Sequence, residues 1–270
     1  MDRMLSVRLA CLALVGAALL AGCGHTPTSP TSVVPGAVIG SVPQTSPPVA
    51  PRDSIIPPRA LGLTRFVAFG DSITFGVKSA FDSRFLFADV NGGYVERLQV
   101  ALSTYHSPQT FTVFNEGVPG EFAVDAVTRF RAMLTNRRPQ AVLLLEGIND
   151  LNNDVSVSRI GSALRQMLDA AASVGVPVAI ATMYQTYEEV SPGGVVRTNG
   201  AALVPALNAE IRRIAAGRLN VYVVDLESRM RDRRFVGNDG LHPEDAGFDV
   251  MTSAFLSVLE AAFPVRGSFQ

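Results

Sequence analysis

Thiols are almost missing from this 270-residue chain: its two cysteines, Cys11 and Cys23, both lie at the extreme N-terminus. Everything after Cys23 therefore lacks a disulfide, a Cys-ligated metal and a cysteine nucleophile. Histidine is nearly as sparse. His25, His106 and His242 are too few and too scattered for a His-rich zinc site, so no metal is expected. Charge of one sign is missing too: 23 Lys and Arg against 24 Asp and Glu leave a formal net charge of −1, with no basic stripe. Nucleic-acid binding needs such a stripe and is set aside. What is present is 47% hydrophobic and 17% charged, with 23 Gly and 17 Pro, which suits a globular domain carrying a biased extra segment.

That extra segment is N-terminal. Arg3 and Arg8 precede a 12-residue uncharged run, residues 9–20, too short to span a bilayer as a mature helix. The run ends in Leu20-Ala21-Gly22-Cys23, which resembles the lipobox of bacterial lipoproteins. The resemblance implies a signal peptide over 1–22, cut before Cys23, with Cys23 then acylated. Several acyl chains hold a protein where one chain binds only marginally. The expected location is the cell envelope, with the chain lipid-anchored and its domain outside the cytoplasm; Gly24 favours an outer membrane if the cell has one. Residues 24–58 hold nine of the 17 prolines among Ser, Thr and Val, with no helical or strand period. They read as an extended tether, 23–60, that buries no core.

From residue 61 to 270 apolar runs and amphipathic stretches alternate. Arg65–Phe69, Thr110–Phe114, Ala141–Leu145, Val176–Thr182 and Val221–Val224 read as strands, while 93–102, 122–136, 202–216 and stretches around Ile160–Ala171 and Met251–Ala262 read as helices. Strands that are apolar at nearly every position, each followed by a helix, imply a parallel sheet covered on both faces. The expected fold is a three-layer α/β/α sandwich on a five-stranded, flavodoxin-like doubly wound sheet, with its site beyond the C-terminal strand ends.

Four segments fall on that rim. Gly70-Asp71-Ser72-Ile73-Thr74 follows the first strand and places a serine at a helix start, although Asp-Ser there is also the pattern of a plain N-cap. Asn115-Glu116-Gly117-Val118-Pro119-Gly120-Glu121 follows the second strand, where a rigid turn brings one backbone N–H into the site. Gly147-Ile148-Asn149-Asp150 follows the third and offers a carboxamide donor, or a helix cap. Asn238-Asp239-Gly240-Leu241-His242-Pro243 sets a carboxylate three residues from an imidazole, close enough to hold one ring nitrogen while the other accepts a proton. His106 and His25 carry no such context.

In this order and over about 175 residues, the four segments resemble the sequence blocks of the SGNH (GDSL-like) hydrolases. That resemblance implies a cofactor-free serine esterase: Ser72 the nucleophile, His242 the base, Asp239 its orienting partner. The implied oxyanion donors are the Ser72 amide, the Gly120 amide and the Asn149 side chain, with Gly117 a second candidate for the glycine amide. No Gly-x-Ser-x-Gly elbow surrounds Ser72, against the ordinary α/β-hydrolase fold. The expected substrate is a small-molecule or polysaccharide ester with a short acyl group. A lysophospholipase or lipase, or a catalytically silent binding lipoprotein on the same fold, is the alternative. Substrate walls are expected from 76–92 and 184–200, with Phe81, Phe85, Phe87, Tyr184 and Tyr187 as candidates, and with Lys78, Arg84 and Arg197 to attract an acidic leaving group.

Overall fold

The computed structural model describes residues 60–79, 86–89, 92–187 and 200–265. The expected signal peptide, Cys23 and all of the expected tether but Ala60 lie outside the described residues, as do Phe81, Arg84, Phe85 and Arg197.

Five parallel strands form the central sheet: β1 (Arg65–Gly70), β4 (Thr112–Gly117), β5 (Ala141–Leu145), β6 (Val178–Ala181) and β7 (Val221–Val224). Their spatial order is β4-β1-β5-β6-β7, which counts as 2-1-3-4-5 along the sheet and is the flavodoxin-like winding. All five residues of β5 are buried, as a strand covered on both faces requires. A separate antiparallel pair, β2 (Val77–Ser79) and β3 (Leu86–Ala88), follows one helical turn after β1.

Helices α2 (Tyr94–Tyr105) and α8 (Asp245–Ala262) pack together, as do α3 (Ala123–Arg137), α5 (Val157–Ser173) and α6 (Val204–Ala215). Three single turns sit at strand ends: α1 (Ser72–Phe75), α4 (Ile148–Leu151) and α7 (Leu226–Arg229). Phe69 of β1 meets Phe130 of α3 edge-on at 5.0 Å, and Tyr94 stacks on Phe255 at 5.1 Å. All four rings are fully buried, each contributing about 1.5–3 kcal/mol of transfer free energy. No helix among the described residues is long and apolar enough to cross a membrane.

Two differences from expectation matter for the site. The second strand runs to Gly117 rather than Phe114, because Asn115, Glu116 and Gly117 pair with Ala68, Phe69 and Gly70. A ladder needs backbone groups, not apolar side chains. The β2–β3 hairpin was expected as plain loop, since strands of three residues carry no readable period.

The winding reverses between β1 and β5, where a doubly wound sheet opens a crevice beyond its strand ends. Ser72 follows one of these strands and Asn149 the other.

Candidate active site

β1 ends in Gly70 because no side chain fits there: a Cβ would lie 2.2 Å from Thr74 Oγ1 and 2.4 Å from the Leu145 carbonyl. Asp71 then caps α1, its Oδ1 accepting the Ile73 N–H at 2.9 Å. Gly76, at φ 101°, ends that turn in the left-handed region. α1 is a single turn of four residues, so the helix-end field behind Ser72 is weaker than that of a full helix. The free amide remains. Among the described residues no acceptor takes the Ser72 N–H.

The structure brings Ser72, His242 and Asp239 into one hydrogen-bonded chain. Ser72 Oγ lies 2.8 Å from His242 Nε2, and His242 Nδ1 lies 2.5 Å from Asp239 Oδ2. Ser72 and His242 are 7% and 6% exposed, so this chain is largely shielded from water but reachable. The other oxygen, Asp239 Oδ1, accepts the Leu241 and His242 amides at 3.1 and 3.0 Å. Burial pushes the Asp239 carboxyl up. The bond and charge of His242 and these two amides outweigh it, holding the group below the usual carboxylate range.

Neighbouring elements brace the turn that carries this pair. Ser79 Oγ of β2 accepts the Asp239 amide at 3.3 Å, and the Tyr187 amide donates to the Gly240 carbonyl at 2.8 Å. Gly240 has φ 75°, and a Cβ there would come within 2.2 Å of the Tyr187 carbonyl. Tyr184 donates its hydroxyl to the Leu241 carbonyl at 2.7 Å and has no exposed surface. Tyr184 is therefore a strut behind the turn, not a substrate wall. Phe87 is exposed, with the Lys78 ammonium 5.3 Å from its ring centroid.

The expected oxyanion wall divides. Gly120 sits at φ 78° with its amide donated to no acceptor among the described residues. Gly117 is excluded as a donor: its amide is spent on Asn115 Oδ1 at 3.0 Å, and a Cβ would strike the Phe75 nitrogen at 2.2 Å. Its bareness serves the packing of β4 against α1. Asn149 Nδ2 donates to the Glu121 carbonyl at 2.9 Å and, more weakly, to Asp71 Oδ2 at 3.3 Å. Asp150 turns away and caps α3, accepting the Ala123 and Val124 amides at 2.7 and 3.2 Å.

Buried carboxyl groups sit behind this wall. Burial raises Asp71 to about 6, against the lowering pull of the Ile73 amide and of His242. Glu146, 4% exposed, is raised well above the carboxylate range, first by burial and then by the charge of Asp71. Lys78 is committed to Asp245 at 3.0 Å and Asp89 at 3.6 Å, so it is not free to recruit a leaving group. His106 is buried and pairs with Glu260 at 3.2 Å, at the end of α2. Among the described residues, no cluster of His, Cys, Asp and Glu could hold a metal ion. Sequence reasoning passed over Ser79, Glu146 and Arg129, none of which carries a local signal.

A family model described as GDSL-like Lipase/Acylhydrolase matches residues 68–250, which encloses all four rim segments. The chain belongs to the GDSL-like lipase/acylhydrolase family. It is by that membership a carboxylic ester hydrolase. No curated protein matches it. Among solved structures it is similar to the lipase/acylhydrolase from Enterococcus faecalis, with a TM-score of 0.60 and 20% identity over 76% of this chain and 100% of that one. It is also similar to an acetyl xylan esterase, AlAXEase, at TM-score 0.56 and 20% identity, covering 71% and 98% of the two chains. A family 3 carbohydrate esterase of Clostridium thermocellum gives 0.55 and 20%, covering 73% and 98%. At such identity the likeness shows a shared fold.

Proposed function

We propose that this GDSL-like hydrolase cleaves short-acyl esters, such as O-acetyl groups on carbohydrate, through an acyl-enzyme on Ser72. The observation that carries the reading is the chain Ser72–His242–Asp239, at 2.8 and 2.5 Å, beside two backbone amides that find no acceptor among the described residues. Ser72 Oγ attacks the ester carbonyl carbon while His242 Nε2 takes its proton. Asp239 fixes the tautomer with the proton on Nδ1 and stabilises the imidazolium that forms. The carbonyl oxygen becomes an anion held by the Ser72 and Gly120 amides and by Asn149 Nδ2, which exchanges its long bond to Asp71 for the stronger one to the oxyanion. The C–O bond then breaks and His242 returns the proton to the departing alcohol. Water, deprotonated by the same imidazole, attacks the acyl carbon and frees Ser72.

The short-acyl reading rests on what a rim site can bury. Each further CH₂ placed out of water is worth only about 0.8 kcal/mol, and a chain that projects into solvent gains nothing. The carbohydrate reading draws support from the similar acetyl xylan esterase and family 3 carbohydrate esterase. We further propose that residues 1–22 are a signal peptide and that Cys23 anchors the domain through a 23–60 tether to the envelope membrane. An enzyme held off a bilayer suits polymer esters better than membrane lipids. The test is kcat/KM across acetyl to dodecanoyl esters of one alcohol, with acetylated polysaccharide alongside. Rates should fall or level beyond about four carbons; a maximum at about eight or more would favour a lipase or lysophospholipase instead.

A further inference from the structure

Arg129 lies on α3 and touches none of the groups assigned to acyl transfer, yet every nitrogen of its guanidinium is used next to them. Nε donates to Glu121 Oε1 at 2.7 Å and Oε2 at 3.1 Å, and Nη2 pairs with the same Oε2. Nη1 donates to the Glu116 carbonyl at 2.9 Å, and Nη2 reaches the Gly70 carbonyl at 3.4 Å. The plane of the group lies over the Phe69 ring, 3.8 Å from its centroid. Side-chain exposures of 27% for Arg129 and 12% for Glu121 put the pair in a part-buried setting, where it is screened less than a surface bridge.

The positions of those acceptors give the arrangement its meaning. Gly70 is two residues before Ser72. Glu116 is the next-to-last residue of the strand from which the Gly120 turn departs. Glu121 follows Gly120 directly, and its carbonyl is the acceptor that holds Asn149 Nδ2 at 2.9 Å. One guanidinium thus ties the end of β1, which leads to Ser72, to the segment that bears Gly120 and whose Glu121 carbonyl holds Asn149. The demand is for a planar fork: a lysine ammonium is a point charge and cannot span a carboxylate, two carbonyls and a ring face at once.

We propose that Arg129 is a positioning residue of the oxyanion hole, setting the Gly120 amide and the Asn149 carboxamide through Glu121. This rests on the acyl-transfer reading above. Oxyanion donors act in the transition state, so misplacing them lowers kcat and spares KM. The experiment compares wild type, Arg129→Lys, Arg129→Met and Glu121→Gln for kcat and KM on nitrophenyl acetate. It adds the rate of Ser72 phosphonylation by a nitrophenyl phosphonate and the thermal midpoint. Arg129→Lys should lose about 10–100-fold in kcat, part of what a whole donor is worth, with KM within about twofold. Phosphonylation should slow in step, and Glu121→Gln should reproduce the pattern in a variant that keeps its arginine. Free guanidinium ion should restore part of the Arg129→Met activity, which a general loss of folding would not allow.

Folded Arg129→Lys and Glu121→Gln enzymes with wild-type kcat would overturn the proposal. So would a loss confined to KM, or one that follows the unfolded fraction alone and ignores guanidinium. Wild type that neither turns over esters nor takes a phosphonate on Ser72 contradicts the proposed function itself; a normal wild type beside an unimpaired Arg129→Lys contradicts only this inference.

Discussion

Tyr184→Phe removes one oxygen atom and nothing else from the support behind the turn that holds His242. The hydroxyl is fully buried and donates to the Leu241 carbonyl at 2.7 Å, one residue before the imidazole. Losing the bond costs about 1 kcal/mol net, and the carbonyl left without its partner in a dry site raises the total to roughly 1–3 kcal/mol. For a domain of this size each kcal/mol moves the thermal midpoint by about 2–4 °C, so a fall of roughly 2–12 °C is expected. The catalytic effect is bounded from the other side. The Asp239 bonds to the Leu241 and His242 amides survive, as does the 2.8 Å bond from the Gly237 amide to the His242 carbonyl. Only part of the lost energy can reach the imidazole, so kcat/KM should drop by up to about tenfold, about 1.4 kcal/mol. Thermal melts and nitrophenyl acetate kinetics read both numbers. An unchanged midpoint with unchanged kinetics would show that the hydroxyl supports nothing; a loss of about a thousandfold or more would put Tyr184 among the groups touching the reacting atoms.

Asn149→Ala should cost about 10²–10³ in kcat with little change in KM, and an effect confined to KM would make Asn149 a binding residue. Asp71, raised to about 6 from 3.8, destabilises the folded chain as pH rises through that window, since the buried group resists ionising. Wild type should therefore gain roughly 3 kcal/mol on Asp71→Asn as pH falls from 7 to 3.5, and a difference independent of pH in denaturant melts would contradict the assignment. Asp239 has the opposite sign: held low, it stabilises above 3.8 and that support fades below, so Asp239→Asn should be most costly at neutral pH and least in acid. Cys23→Ser should leave an uncleaved or soluble protein where wild type partitions into detergent; equal partitioning of the two would rule out an acyl anchor at Cys23.

What was legible in the sequence was local. The strands follow from short apolar runs and the parallel, doubly wound sheet from their alternation with helices, and β5 and β7 end where the pattern ends. Ser72, Asn149, Asp239 and His242 stand in compact segments whose spacing is itself the signal, because three residues of turn suffice to bring Asp239 onto His242. What escaped is whatever depends on chain segments meeting from afar. Tyr184 reaches Leu241 across 57 positions, and Ser79 meets Asp239 across 160. Nothing near either residue announces its partner. Arg129 looks like any charged residue on an amphipathic helix until the ends of β1 and β4 arrive beside it. Gly117 and Gly120 were inseparable in sequence, since the same residue serves a close approach at one and a left-handed turn at the other. Only the backbone path decides which amide is free.

Phosphonate labelling read by mass tests whether Ser72 is the nucleophile. A nitrophenyl phosphonate should add once to the wild-type domain, on the peptide containing Ser72, with esterase activity lost in proportion. His242→Ala should label far more slowly and Ser72→Ala not at all, the latter also falling below about a tenth of wild-type kcat because the triad acts as a unit. Labelling at another residue, or an esterase that survives Ser72→Ala, would contradict the account.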